Sequence, residues 1–484
     1  MKNTPQLGKC ISRVGLATAS IMLALAAVLV WAVITTQSAE AQIFTSLHSF
    51  GGTDGKYTTA GLAQAVNGNF YGITYEGGVN GDGTVFKITP GGTLTTLHSF
   101  DSTDGANPSA GLVLATNGDL YGTTYKGGAN QYGTVFKITP SGTLTTLHSF
   151  DNTDGANPIG TLIQAADGNF YGITYQGGAN SQGTVFKMTP SGTLTTIYSL
   201  CSIAGCMDGY AANAGLIQAT DGNLYGTTNG GGINGGGTVF KITLGGTLTT
   251  LYNFCALSDC TDGYDPIGGV VQAANGNFYG TTFGGGVNSL GTVFKMSPGG
   301  TLTTLYNFCS TSGCTDGYSP YSELVQATNG NLYGTTYEGG ASGNYGTVFE
   351  ITPSGTLTTL HSFDGTDGAN PIPGLVQATN GTFYGTTYEG GASDDGTVFS
   401  LSVKLGPFVK TLPTSGKVGA AVKILGNNLT GATGVTFNGT AATFSVVSKS
   451  EITTTVPTGA TSGTVEVTIP TRTLKSNVAF RVTP

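Results

Sequence analysis

The sequence predicts an all-β chain: a seven-bladed β-propeller of four-stranded blades, followed by an immunoglobulin-like β-sandwich. Three observations carry this. Glycine supplies 80 of 484 residues and only 9% are charged, so Thr, Asn, Ser and Tyr fill the polar positions. Poor helix formers among β-branched and aromatic residues favour strands. The tetrapeptide Gly-Thr-Val-Phe begins at Gly83, Gly133, Gly183, Gly237, Gly291, Gly346 and Gly396, in steps of 50, 50, 54, 54, 55 and 50 residues. Repeats of about 50 residues with four strand signals each are the mark of a propeller. The ends of the array are also complementary. It starts with a lone outer strand, residues 43–50, and stops after a third strand, residues 396–403. The first strand can therefore complete the last blade and remove the exposed edge of an open array.

Residues 1–41 read as a signal peptide or, if uncleaved, an N-terminal membrane anchor. Lys2, Lys9 and Arg13 precede an apolar run from Val14 to Ile34, and Ala39-Glu40-Ala41 offers a small-x-small cleavage pattern. Either outcome places the remainder outside the cytoplasm, and any membrane contact would run through this segment. Its removal takes away Lys2, Lys9, Arg13 and Glu40, so the net charge goes from −8 to −8 − 3 + 1 = −10. Nucleic-acid binding needs a basic footprint, and this composition excludes it.

Each copy from 43 to 404 reads as four short strands. In the third, residues 162–165 and 170–175 flank the hairpin turn Asp167-Gly168. Residues 185–189 and 194–200 flank Pro190-Ser191-Gly192. Loops after the second and fourth strands fall on one face of the array, and the short turns fall on the other. The glycine inside each second strand, such as Gly72 or Gly122, is expected where neighbouring blades approach closely.

The unit Asp364 to Phe399, "DGTDGANP…GLVQATNGTFYGTTYEGGASDDGTVF", resembles the GloVer tandem repeat of bacterial exported proteins. The Gly-Gly after the second strand and the Pro-x-Gly turn after the third are similar to kelch repeats, without the kelch tryptophan. The resemblance implies export or surface association and brings no catalytic residues with it. Residues 406–484 resemble an IPT/TIG domain. The markers are Pro413 with Ser415-Gly416, Gly419, Ile424 to Gly426, Val435 to Gly439, Val456-Pro457 and Ser462-Gly463. About seven short strands in this span point to a sandwich independently.

Six cysteines follow Cys10, as the pairs Cys201/Cys206, Cys255/Cys260 and Cys309/Cys314, all in the loop between blades. In an exported chain they read as three local disulfides. The four histidines, His48, His98, His148 and His361, share one phase of the fourth strand with Tyr198, Tyr252 and Tyr306, which marks a packing or rim position. Asp54, Asp104, Asp154, Asp208, Asp262, Asp316 and Asp367 recur before glycine in the interblade loop. They read as turn formers, or as a carboxylate ring able to take Ca²⁺ or a polar ligand. Tyr210, Tyr264, Tyr318 and Tyr321 lie on the same long-loop face, the expected binding surface. Asp82 and Asp395 occupy a tip position filled elsewhere by unrelated residues.

The reading is a monomeric, non-enzymatic, secreted or cell-surface protein. Its long-loop face serves adhesion or binding of an extracellular glycan or protein, or it has an envelope-structural role; no cofactor is required. The alternative is a carbohydrate-active propeller enzyme, a glycosidase or lyase, which would need two positioned carboxylates.

Overall fold

The computed structural model describes residues 42–483, so the expected signal segment lies outside the described residues. Seven sheets follow one another along the chain, and the first six run inner to outer in sequence order. The first sheet holds Ala63–Gln64, Phe70–Thr74, Thr84–Ile88 and Leu94–Ser99. The third carries an additional strand, Ala156–Pro158, on the edge of Phe170–Gln176.

The seventh sheet is assembled from both ends of the array. Val376–Gln377, Phe383–Thr387 and Thr397–Ser402 come from its end, and Ile43–Ser49 from its start. Ile43 pairs with Ser402 and Ser49 with Thr397, antiparallel. The expected closing strand is thus present.

Apolar clusters lie between neighbouring sheets. Tyr71, Ile73, Val85 and Phe100 of the first pack on Leu120, Phe136 and Ile138 of the second. Phe70 and Phe86 of the first pack in the same way on Phe50, Tyr384 and Val398 of the seventh. The closing interface therefore has the composition of the others, and the array is propeller-like and shut on itself. Both faces of the second strands are covered, which explains why Phe70–Thr74 is buried throughout and lacks alternation.

Threonine supplies the polar part of this interior. Thr74 Oγ1 and Thr84 Oγ1 lie 2.8 Å apart, and the former also accepts from the Thr84 N–H and donates to the Glu76 carbonyl. The pair recurs in all seven sheets, for example Thr228 with Thr238 and Thr387 with Thr397. Gly83 just before it adopts φ 97°, and a Cβ there would overlap the Thr74 carbonyl. Gly-Thr-Val-Phe is thus a packing unit: a left-handed glycine, a paired hydroxyl and two core side chains.

The glycine of the second strand serves another purpose than expected. A Cβ on Gly72 would meet the ring of Phe86 and a methyl of Leu62, both in its own sheet. The glycine leaves room for the facing phenylalanine; it does not mark an approach between blades.

Past the array, Lys410–Leu412, Ala421–Leu425, Glu451–Thr455 and Phe444–Ser448 form one sheet. Thr440–Ala441, Gly434–Phe437, Val465–Ile469 and Arg472–Lys475 form another. Val422, Ile424 and Ile452 of the first share a core with Val435, Val467 and Leu474 of the second. Contacts unite Ile43–Pro484 in one compact unit.

This tail covers the short-turn face of the array. Ser450 Oγ donates to the Val66 carbonyl at 2.6 Å, Arg481 reaches the Thr220 carbonyl, and the Phe408 N–H donates to Thr379. These three acceptors belong to the first, fourth and seventh sheets, so the tail spans the ring. Among the described residues no helix is long and apolar enough to cross a membrane.

Candidate functional site

On the long-loop face, the loop entering each sheet is laced to the loop after its second strand. Tyr210 bridges Gly230, Tyr264 bridges Gly284, and Tyr318 bridges Glu338, while Lys56 and Glu76 do the same in the first copy. The Tyr210 and Tyr264 rings lie over Gly230 and Gly284, where any side chain would collide with them. Each of these tyrosines bridges within its own blade.

The recurrent aspartates also act blade by blade. Asp54, Asp104, Asp154 and Asp367 each hold the histidine of their own fourth strand, at 2.6–2.7 Å between Oδ2 and Nε2. In the other three copies tyrosine takes over. Tyr198, Tyr252 and Tyr306 donate at 2.8 Å to Asp208, Asp262 and Asp316, which are almost fully buried. Burial pushes the Asp208 carboxyl up, but the Ser202 N–H, the Tyr198 hydroxyl and the Ile203 N–H donate to it. Together they hold it below the usual range. The Tyr306 phenol is raised to about 12 by burial and its Asp316 partner. His and Tyr are interchangeable there because each presents a polar atom to the same carboxylate. Each of these carboxylates is engaged within its own loop. Among the described residues no group of three or more His, Cys, Asp or Glu could hold a metal ion.

The cysteines pair as Cys201–Cys206, Cys255–Cys260 and Cys309–Cys314. Each bridge closes a loop containing a 3-10 turn: Ala204–Cys206, Ser258–Cys260 and Ser312–Cys314. The first cysteine of each pair has positive φ, 58°, 59° and 56°, so the bridge pins a backbone that would otherwise be strained.

The tip position of Asp82 and Asp395 works through its backbone. The Asp82 carbonyl accepts from the Asn107 N–H of the next copy and that of Asp395 accepts from Tyr57. Tyr132, Gly236 and Leu290 do the same elsewhere. Any side chain suits such a clasp, hence the variety in that column.

What converges lies at the axis. One column of the sequence holds Tyr75, Tyr125, Tyr175, Asn229, Phe283, Tyr337 and Tyr388, and four of these, Tyr75, Phe283, Tyr337 and Tyr388, line the ring's opening. Thr59, Tyr75, Phe283, Tyr321, Tyr337, Ile372 and Tyr388 line a mouth of about 470 Å³. It shares Thr59, Tyr321 and Ile372 with a central cavity of about 480 Å³ walled by the first-strand segments of all seven sheets. Such a volume suits a small ligand. Tyr57 stacks on Tyr388 at 4.9 Å, tightening the rim.

Glu323 is the one charged residue of the cavity wall. Its column otherwise holds Gly61, Gly111, Thr161, Gly215, Gly269 and Gly374. The side chain sweeps past Gly269 toward the Gly215 N–H across the channel. The side chain is exposed to the cavity's solvent space, and the protein packed around that cavity raises its carboxyl to about 7, against a smaller opposing effect from the Gly215 N–H. Sequence reasoning found Tyr321 but missed Glu323. The signal was a single acid in a column of small residues.

The Gloeobacter/Verrucomicrobia repeat matches residues 31–219 and 211–447. No curated protein matches the chain. Among solved structures, it is similar to a protein described as the extracellular domain of a one component system from B. thetaiotaomicron. The TM-score is 0.50 at 12% identity, over 92% of this chain and 58% of that one. The extracellular domain described for a hybrid two component system of the same organism gives a TM-score of 0.49 at 12% identity, over 89% and 54%. The chain thus spans under three fifths of either structure, and at this identity the likeness concerns fold alone. The repeat match covers most of the sequence, and the chain belongs to the Gloeobacter/Verrucomicrobia repeat family.

Proposed function

We propose that this is an exported, non-enzymatic binding protein, secreted or held at the cell surface. Residues 43–404 form a seven-bladed β-propeller and residues 406–484 an IPT/TIG immunoglobulin-like sandwich. The propeller binds an extracellular glycan or protein on its long-loop face. One observation carries the reading: the two faces are unequal. The tail occupies the turn face through Ser450, Arg481 and Phe408. The opposite face keeps the disulfide loops and an aromatic opening into the central cavity. Loops held on a rigid scaffold are where binding commonly resides.

Three disulfides suit an oxidising compartment, and the extracellular domains of similar fold agree with it. Glycoside hydrolysis takes a pair of carboxyl groups, and the cavity wall carries one, which supports binding over catalysis. The test is a glycan and polysaccharide panel on the exported chain, with and without Ca²⁺. Binding should fall for Tyr337→Ala and Tyr388→Ala and persist for Asn169→Ala on the turn face. A panel blank in both conditions, or binding lost only through the turn face, would sink the proposal.

A further inference from the structure

Glu323 has no charged partner among the described residues, and its one neighbouring donor is a backbone N–H. A carboxylate that faces a confined cavity without a counter-charge favours the arrival of a cation or a proton. The mouth above it is aromatic, and beside it Lys56 Nζ already lies 5.0 Å from the ring centroid of Tyr57, which stacks on the mouth's Tyr388. The rim is also acidic. Glu338 and Glu389 bear on Tyr337, and Glu389 and Glu76 on Tyr388, while Lys56 is spent on Glu76 at 3.2 Å. Glu76, Glu338 and Glu389 outnumber Lys56 and Lys126 there, and an excess of one sign of charge concentrates the opposite sign.

We propose that the central cavity binds a small organic ammonium ligand, its charge met by Glu323 and its hydrocarbon held by Tyr75, Phe283, Tyr321, Tyr337 and Tyr388. The proposal rests on the binding role of the long-loop face and names the ligand chemistry of its central opening. Neutral sugars would gain from the tyrosines, but would leave the carboxylate unpaired. Anions are repelled. A quaternary or primary ammonium answers both features at once, charge to carboxylate and alkyl groups to aromatic faces.

Affinity follows the ionisation of Glu323. Tyr321 is the other titratable group lining the cavity, and burial raises its phenol, so it stays neutral. Tyr75, Tyr337 and Tyr388 at the mouth are raised as well. Asp265, two residues before the lining Ile267, is raised by burial. With the Glu323 carboxyl near 7, choline affinity should climb about ten-fold between about pH 6 and about pH 8.

The probe is choline, titrated calorimetrically and by tyrosine fluorescence, which the exported chain allows because its only tryptophan is Trp31. Dimethylbutanol, the uncharged carbon isostere, is the control. Saturable choline binding that weakens about ten-fold or more in Glu323→Gln, with little response to the isostere, is the expected result. Glu323→Gln keeps the side-chain volume, and an unchanged melting curve will show that it folds. Absence of saturable choline binding overturns the proposal. So does equal binding of the isostere, or a Glu323→Gln protein as tight as the parent. Failure of the wider reading looks different: glycan or protein binding is absent from the whole face whatever choline does.

Discussion

Gln64 Oε1 accepts a hydrogen bond of 3.1 Å from the backbone N–H of Thr379, which joins residues 315 positions apart. The same latch ties Gln164 to Thr116, Gln218 to Ala166, Gln272 to Thr220, Gln326 to Ala274 and Gln377 to Thr328. A glutamine on six of the seven first strands thus caps the turn of the preceding sheet. Leu114 interrupts the series between the first and second sheets. At that gap the tail steps in, with Ser450 bound to Val66.

Gln64→Leu repeats at the closing junction what Leu114 does naturally. It leaves the Thr379 N–H unpaired and should cost about 1 kcal/mol in urea unfolding. Deleting Ile43–Ser49 is far more severe, because it strips the outer strand from the seventh sheet and exposes the edge of Thr397–Ser402. A single cooperative transition should broaden or split. An unchanged melt would mean that closure does not couple the blades.

Thr123, Thr227 and Thr386 are buried, and their hydroxyls find no partner. Ile73 and Ile173 stand in the same place in two other copies, so the site accepts an apolar branch. Thr→Val at each position should stabilise by about 1 kcal/mol, since an orphaned buried hydroxyl costs about that or more. Thr281 is the control. Its hydroxyl donates to the Ser322 carbonyl, and Thr281→Val should be neutral or destabilising.

The repeat, its four strands and its closing strand were legible in the sequence because glycine turns and β-branched runs are local signals. The cysteine pairs were legible for the same reason. The roles of Asp54 and its equivalents were not, since a carboxylate that locks a loop and one that binds a ligand look alike until the His48 contact is seen. The axial cavity was hidden further still. It is built from two to five residues of each of seven copies, brought together only by closure. Gly72 misled because a glycine announces close approach without naming what approaches.

Acid should test the tyrosine-held aspartates. Asp208 and Asp316 titrate below the ordinary value when folded: burial opposes this, but their donors outweigh it. As pH falls, the unfolded chain takes up protons first, so the stability these groups give near neutrality is lost on descending through the carboxylate range. Asp316→Asn should cost about 2 kcal/mol at neutral pH and flatten the decline between about pH 5 and about pH 3. An equally steep decline in the variant would place the acid sensitivity elsewhere.

Lys410 offers the alkaline counterpart at the junction of array and tail. Its Nζ donates to the Gln377 carbonyl at 2.6 Å, and burial lowers it to about 8 from 10.5. The folded protein therefore releases this proton before the unfolded chain does as pH rises. Stability should climb from about pH 8 toward about pH 10 and lie lower at neutrality, where the buried ammonium is charged. Lys410→Met keeps the packing of the stem beside Phe408 and removes the charge. It should abolish the alkaline climb and raise the denaturant midpoint at neutral pH, as apolar replacements of buried charges often do. A lower midpoint would show that the bond to Gln377 outweighs the burial of the charge, so that the tail is held on the array by that ammonium.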